Sequence, residues 1–142
     1  MIAKLKAELA DPKYAAMSDI DAADAINAKA IDVVRPIESR MLLVWAGSNQ
    51  RLKKIEEAAT VHVSGDVQNV AKIVLPMLSR SDTSLDMSLD SHKTLVSVLI
   101  AGGVLSAGDD AELTAMATKQ VSRSSQIGLG TVKPGHVQKA RA

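Results

Sequence analysis

The sequence lacks cysteine and nearly lacks aromatic side chains. Among its 142 residues there is no Phe, and Tyr14 and Trp45 are the one tyrosine and the one tryptophan. Without thiols the chain can form no disulfide, no thiolate nucleophile and no thiolate metal site. With so few aromatic rings it is a poor candidate for stacking on bases or sugars. Ala, Val, Leu, Ile and Met must therefore supply the core, and Ala, Leu and Met favour helices.

Long apolar runs are also missing. No uncharged stretch approaches the roughly 18 apolar residues of a membrane span. The first residues carry no apolar run of signal-peptide length. We therefore expect neither a membrane span nor a signal peptide. The length suits one domain that buries roughly two-thirds of its unfolded surface.

Acidic side chains are absent from the last part of the chain. From Leu113 onward there are five cations and no anion, a net charge of +5. The preceding residues have 12 Lys or Arg against 16 Asp or Glu, a net charge of −4. A basic extension on a mildly acidic body usually meets an acidic partner surface or phosphates, or remains free in solvent.

Apolar residues recur at helical spacing along most of the sequence. Ser18, with Asp21 three residues later, is typical of a helix start. The apolar pattern between residues 37 and 59 is interrupted at Gly47-Ser48-Asn49, which are costly inside a helix, and we expect two helices there. These patterns predict an all-α fold, a small helical bundle.

A few segments depart from the helical pattern. Ile31 to Val34 precedes a proline and is expected to be extended. Residues 60–63, Thr-Val-His-Val, have the composition of a short strand but no evident strand to pair with. Pro76 should kink the helix that contains it or end that helix near Leu75.

The clearest local pattern is a helical hairpin over residues 91–126. Gly102 or Gly103 can take the left-handed position after its first helix. Ser106 and Asp109 form a capping pattern for the second helix, whose first turns are acidic. We expect this second helix to continue to Ile127.

The residue patterns of catalysis and metal binding are absent. His62, His92 and His136 lie about 30 to 44 residues apart, and no HExxH or G-x-S-x-G sequence occurs. The aspartates at every fourth position from Asp82 lack the alternate-position ligands and central glycine of a calcium loop. We expect no enzyme activity, no cofactor, no metal ligand and no small-molecule substrate.

The closing stretch, residues 127–142, contains Gly128-Leu129-Gly130 and Pro134-Gly135. A dinucleotide loop needs G-x-G-x-x-G between a strand and a helix. Here the glycines follow a predicted helix, the sixth position is Lys133, and no Gly-Lys-Ser/Thr occurs. We therefore interpret the glycines as a helix end and Pro134 as the first residue of a short last helix.

Two regions follow from these patterns. Residues 1–127 are expected to form the helical domain, with residues 1–14 as an N-terminal docking segment, and residues 128–142 a hinged basic arm that binds another protein chain. Five cations without interleaved aromatics would bind nucleic acid weakly, so we do not expect nucleic acid as the partner. The residues expected to make the arm's contacts are Gly128, Gly130, Val132, Lys133, Pro134, His136, Val137, Lys139 and Arg141.

The C-terminal third resembles a group of small phage proteins that are encoded among particle-assembly genes. The resemblance lies in Ala101–Ser106, Met116–Thr118, Val121–Arg123 and Leu129–Val137, and more weakly in Ile37–Ala59. It implies a virion component of the tail or of the neck between head and tail, present in the virion and, during assembly, in the host cytoplasm.

Sequence and resemblance together predict a non-enzymatic phage structural or assembly protein. Its expected partners are copies of itself and other virion proteins, docked in multiple copies. The alternative is a small helical DNA-binding regulator that uses the hairpin over residues 91–126. Asp109, Asp110 and Glu112 at the start of the second helix would face phosphates in that case.

Overall fold

A computed structural model describes all 142 residues, and the chain is mostly helical. Helices contain 62% of the residues and small strands 11%, so the prediction of an all-α fold is right for the main content but misses the small sheets. The α-helices are α1 Ile2–Leu9, α2 Asp19–Asn27, α3 Ser39–Ala46, α4 Arg51–Thr60, α5 Gly65–Ser79, α6 Asp90–Ala101, α7 Ala107–Ala117, α8 Arg123–Gln126 and α9 Pro134–Arg141, and Pro12–Tyr14 form a short 3₁₀ helix. The strands are β1 Lys29–Val34, β2 Ile37–Glu38, β3 Ser84–Leu85 and β4 Thr118–Ser122.

The chain divides into two compact units. The first unit combines Met1–Val33 with Lys119–Ala142, and the second unit is Val34–Thr118. This division replaces the expected boundary after residue 127. The two ends of the chain belong to one unit because their apolar side chains share one core, described below.

The second unit confirms the expected helix break after α3. Asn49 and Gln50 there take positive φ angles of 53° and 60°, a conformation that stops a helix. The core of this unit includes Leu42, Ile55 and Leu99, each no more than 2% exposed. Larger apolar clusters of this kind carry most of the stability of a helical unit.

Two local features of the second unit differ from expectation. Helix α5 passes through Pro76 and ends at Ser79, so the proline lies in its last turn. Residues 61–63 form no strand, and β2 instead pairs antiparallel with β3, with Ile37 opposite Leu85. Two-residue strands leave almost no periodic signal in a sequence.

The helical hairpin is present but shorter than expected. The Ser106 hydroxyl accepts a hydrogen bond from Asp109 N, and the Asp109 carboxylate accepts one from Ser106 N. The capping pattern at the start of α7 is therefore confirmed. Helix α7 ends at Ala117 rather than at residue 127. Residues 118–122 form β4, which pairs with β1, and the predicted extension of residues 31–34 is confirmed by β1.

Helices α1, α2 and α9 form the core of the first unit. Its fully buried side chains include Leu5, Ile26 and Val137. The expected start of α2 at Ser18 is confirmed, since the Ser18 hydroxyl accepts from Asp21 N at 3.1 Å. No helix in either unit combines the length and hydropathy needed to cross a bilayer.

Candidate interaction surfaces

The apolar side chains of residues 128–142, the C-terminal segment, are buried within their own chain. Val132 is 2% exposed, Val137 is 0% exposed, and Ala140 is buried beside them. They pack against the apolar side chains of α1 and α2. The expected arm is therefore corrected: this segment completes the first unit, because its three buried apolar side chains are covered by the N-terminal helices.

Polar contacts hold the same segment at both ends. Asn27 Nδ2 donates to Val132 O at 2.6 Å, and Val132 N donates to Asn27 Oδ1 at 2.9 Å. Arg141 donates to Asp19 Oδ1 at 2.6 Å and to Tyr14 O at 2.8 Å. A side-chain amide that satisfies both backbone groups of one residue fixes the chain at that point.

The two glycines of the closing stretch lie in the connection before α9. Gly128 and Gly130 have φ angles of 71° and 65°, in the left-handed region that favours glycine. They follow the short helix α8, in agreement with their prediction as a helix end, although that helix is not the continuation of α7. Pro134 is the first residue of α9, as expected.

The residues in and directly before α9 are of two kinds, exposed and buried. Lys133, Pro134 and Lys139 are exposed, whereas Val132 and Val137 are buried. His136 Nδ1 accepts a hydrogen bond from Lys133 N at 3.1 Å and so caps the helix. Among the nine residues predicted to contact a partner, Lys133 and Lys139 are exposed and remain available to another molecule. Val132 and Val137 are buried and are not available.

An ion pair between Arg123 and Glu8 adds a second link inside the first unit. Arg123 Nε and Nη2 donate to the two oxygens of Glu8, each at 2.9 Å, and Tyr14 Oη donates to Glu8 at 3.0 Å. The hydrogen bond from Arg123 outweighs burial and lowers the pKa of Glu8. Burial, followed by the bond to Glu8, raises the pKa of Tyr14.

The three histidines have one structural role in common. In each, Nδ1 accepts from a backbone N–H: His62 from Ser64 at 3.0 Å and His92 from Asp86 at 2.8 Å, with His136 as described above. Each ring therefore closes a local turn. Nowhere do three or more His, Asp or Glu side chains gather as metal ligands.

The second unit exposes more large apolar side chains than the first. Val44 on α3 is 72% exposed, and Leu43 beside it is 43% exposed. Val61 and Val63, between α4 and α5, are also exposed. Exposed apolar side chains that cluster are typical of interaction sites.

An apolar groove lies beside α3 on the second unit. It has a volume of about 690 Å³ and is lined by side chains of α3, α4 and α5, among them Leu43, Leu52 and Leu75. Glu56 and Lys72 also line it and supply charges of opposite sign, and a third charged lining residue, Arg80, is paired with Asp82. We name these residues the apolar groove.

Comparison with protein-family models, curated sequences and solved structures gives no match to this chain. The apolar groove was not predicted, although one signal was present. Residues 41–46, Met-Leu-Leu-Val-Trp-Ala, are all apolar. A helix that buries one face leaves about half of such a run exposed, so this run indicates a surface that another chain can cover.

The acids at the start of α7 are bound within the second unit. Arg51, 5% exposed, donates to Asp109 at 2.7 Å and to Glu112 at 2.5 Å. Trp45 Nε1 donates to Glu112 at 2.9 Å, and its ring lies 4.6 Å from the Arg51 guanidinium carbon. These contacts join α7 to α3 and α4, the structural role expected of a hairpin that packs against a core.

Proposed function

We propose that this chain is a non-enzymatic bacteriophage structural or assembly protein that docks in several copies, in the tail or in the neck between head and tail. The apolar groove supports this proposal most directly, because it is an uncovered apolar surface with charged residues in its lining. The resemblance of residues 101–137 to phage particle-assembly proteins supplies the context. The function is then mechanical, and its energy comes from surface burial.

A second copy of the chain is the occupant that the groove fits best. The same unit carries both a recess, at Leu52 and Leu75, and an exposed apolar helix face, at Leu43 and Val44. A two-fold contact places the exposed face of each copy on the recess of the other, as isologous interfaces require.

The charges of the groove agree with a two-fold contact. Glu56 and Lys72 both line it, on α4 and α5 respectively. In a symmetric pair, Glu56 of one copy meets Lys72 of the other, and each contact occurs twice. Complementary charges of this kind set register and partner choice more than affinity.

The C-terminal segment contributes through its charges instead of its valines. Lys133, directly before α9, and Lys139, on α9, are exposed, while Val132 and Val137 hold that helix in place. We propose that these lysines meet acidic surfaces of other virion proteins. This replaces the arm that was expected to reach a neighbouring chain.

The groove is tested with charge-reversed variants of the full chain in analytical ultracentrifugation. Glu56→Lys and Lys72→Glu each create like-charge contacts and should weaken self-association about tenfold. An equimolar mixture of the two variants restores both opposite-charge contacts and should restore association. Lys54→Glu, an exposed charge reversal on α4 that does not line the groove, is the matched control.

Several results would contradict this proposal. A wild-type chain that stays monomeric at high concentration, or a mixture that associates no better than the single variants, rules out the two-fold contact. Mass spectrometry of purified phage particles tests the context, since absence of the chain from particles and from assembly intermediates contradicts it. A DNA affinity that falls steeply with salt would support the DNA-binding regulator instead.

A further inference from the structure

A polar cleft of about 520 Å³ lies within the first unit, distant in sequence from the apolar groove. It is formed where the end of α2 and the start of β1 meet the stretch that runs from the end of β4 through α8 to the glycine connection. Its lining is rich in hydroxyl groups and backbone: Lys29, Ser122, Ser124, Ser125, Gly130 and Thr131. Neither the core nor the proposed docking surfaces use these groups.

Buried hydroxyls form one wall of this cleft. Ser122 is 9% exposed and Ser124 is 3% exposed, and their Oγ atoms lie 2.9 Å apart. Ser122 Oγ also accepts from Ser125 N at 3.1 Å, which fixes its position. The Ser125 side chain is exposed and makes no hydrogen bond of its own.

Backbone donors also belong to the residues that line this cleft. The N–H groups of Gly130 and Thr131 have no hydrogen-bond partner, while Val132 N is already bound to Asn27. A Cβ atom at Gly130 would meet no atom within 4 Å, so this backbone is open to an incoming group. Unpaired N–H groups at a concave surface are natural partners for an anion.

The charges at the cleft are positive. Lys29 is the one charged side chain in its lining. At Gly128, another lining residue, Lys4 Nζ lies 3.7 Å from the position of an added Cβ and 3.4 Å from Ile127 O. The lining thus contains one lysine, Lys29, and the ammonium group of a second, Lys4, lies close to Gly128.

We propose that this cleft binds a phosphate-type oxyanion. Such a group offers several acceptor oxygens at once, which matches hydroxyl, backbone N–H and ammonium donors better than a single carboxylate does. The proposal does not depend on a dinucleotide-loop pattern, because the donors come from the fold and not from one loop. The anion is either free phosphate or a phosphate diester in the backbone of DNA.

Titration of the ¹⁵N-labelled full chain with inorganic phosphate at constant ionic strength tests the site. We expect saturable shifts of the amides of residues 122–131. Lys29→Glu should weaken binding at least about tenfold, because it replaces a cation in the lining with a carboxylate that repels the anion. Lys6→Glu, an equal charge change at an exposed residue of α1 that does not line the cleft, should leave the affinity within about twofold. Thermal melting of both variants controls for folding.

A second arm with a short DNA duplex identifies the source of the anion. Shifts of the same amides, in competition with phosphate, assign the cleft to DNA phosphates, and shifts with phosphate alone assign it to the free ion. Shifts that do not saturate, or that Lys29→Glu and Lys6→Glu weaken equally, overturn the proposal. Because the readout is independent of self-association, failure here leaves the proposed docking function untouched, whereas binding of DNA phosphates at the cleft would favour the DNA-binding regulator over docking.

Discussion

Arg51 lies against Asp109, with its Nε donating to Oδ1 at 2.7 Å, and this contact joins the start of α4 to the start of α7. The guanidinium is 5% exposed and also contacts Trp45 and Glu112. Desolvation opposes ionisation of Asp109, but hydrogen bonds from Ser106 N and from Arg51 outweigh it and lower the pKa of Asp109. The acids that begin α7 are thus part of the packing of the second unit.

Replacement of Arg51 by Met should destabilise the second unit by roughly 2 to 4 kcal/mol, because Asp109 is left partly buried without its cation. Equilibrium urea unfolding measures the change. Arg80→Met is the matched control, since Arg80 and Asp82 form a pair with both side chains more than 60% exposed, and it should change stability little. Equal losses in the two variants would contradict a special role for Arg51.

Acidification should weaken the link between Glu8 and Arg123. The pKa of Glu8 is lowered in the folded chain, so the folded state binds fewer protons than the unfolded state near and below the ordinary value of 4.5. The contribution to stability is therefore complete above that value and is lost as the pH falls through the lowered pKa. We expect the stability difference between wild type and Glu8→Gln to be largest near about pH 6 and to shrink toward about pH 3.

The control for this pH dependence is Glu57→Gln. Glu57 is an exposed residue of α4, 4.0 Å from Lys53. Its stability difference from wild type should be small, because solvent screens a pair in which both side chains are about two-thirds exposed. If Glu8→Gln gives a difference that does not change with pH, the pair with Arg123 does not stabilise the folded state through ionised Glu8.

Local signals predicted local structure well. The helix starts at Ser18 and Ser106 follow from side-chain caps, and the break after α3 follows from residues 47–49, so nearby atoms alone determine them. Strand β4 was missed because Leu113, Ala117 and Val121 recur at four-residue steps, which is a helical spacing. Pairing with β1, more than 80 residues earlier, overrides that spacing.

The position of the C-terminal segment shows the same limit. Val132, Val137 and Ala140 correctly indicated an apolar face, but spacing carries no information on which surface covers that face. The cover comes from α1 and α2 of the same chain, at the far end of the sequence. Composition likewise located five cations from Leu113 onward. It did not show that Arg123 is paired with Glu8 and Arg141 with Asp19.

Truncation after Ile127 should unfold the first unit and not merely remove a docking arm. Val137→Ala alone should cost roughly 2 kcal/mol, from lost burial and the cavity that remains. Faster hydrogen exchange of the α1 and α2 amides would report this loss. Gln138→Ala, at the exposed neighbouring position, should leave exchange unchanged. Unchanged α1 and α2 exchange in the truncated chain would contradict the shared core.

Asn27 should hold the connection to α9 through its two bonds with Val132. Asn27→Ala removes both and should destabilise the first unit by about 2 kcal/mol, near 1 kcal/mol for each bond. Asn27→Asp keeps an acceptor for Val132 N and removes the donor to Val132 O. Comparison of its loss of stability with that of Asn27→Ala therefore separates the two hydrogen bonds. Limited proteolysis near residues 128–131 measures the release, with Asn69→Ala as the exposed control.

Gly102 should be intolerant of a side chain because of Val67. An added Cβ would lie 2.6 Å from Val67 Cγ2 and 2.8 Å from Cγ1, closer than such atoms approach in proteins. Gly102→Ala should therefore destabilise the second unit by roughly 1 to 3 kcal/mol through overpacking. Val67→Ala creates space at the same place, so the double variant should be more stable than the sum of the two single losses predicts, with a coupling measurable in a double-mutant cycle.

Gly103→Ala is the control that separates steric overlap from backbone strain. Its φ of 75° is costly for alanine, but an added Cβ there would have no atom within 4 Å, so Val67→Ala should not rescue it. Equal rescue of both glycine variants would show that the contact with Val67 is not the cause.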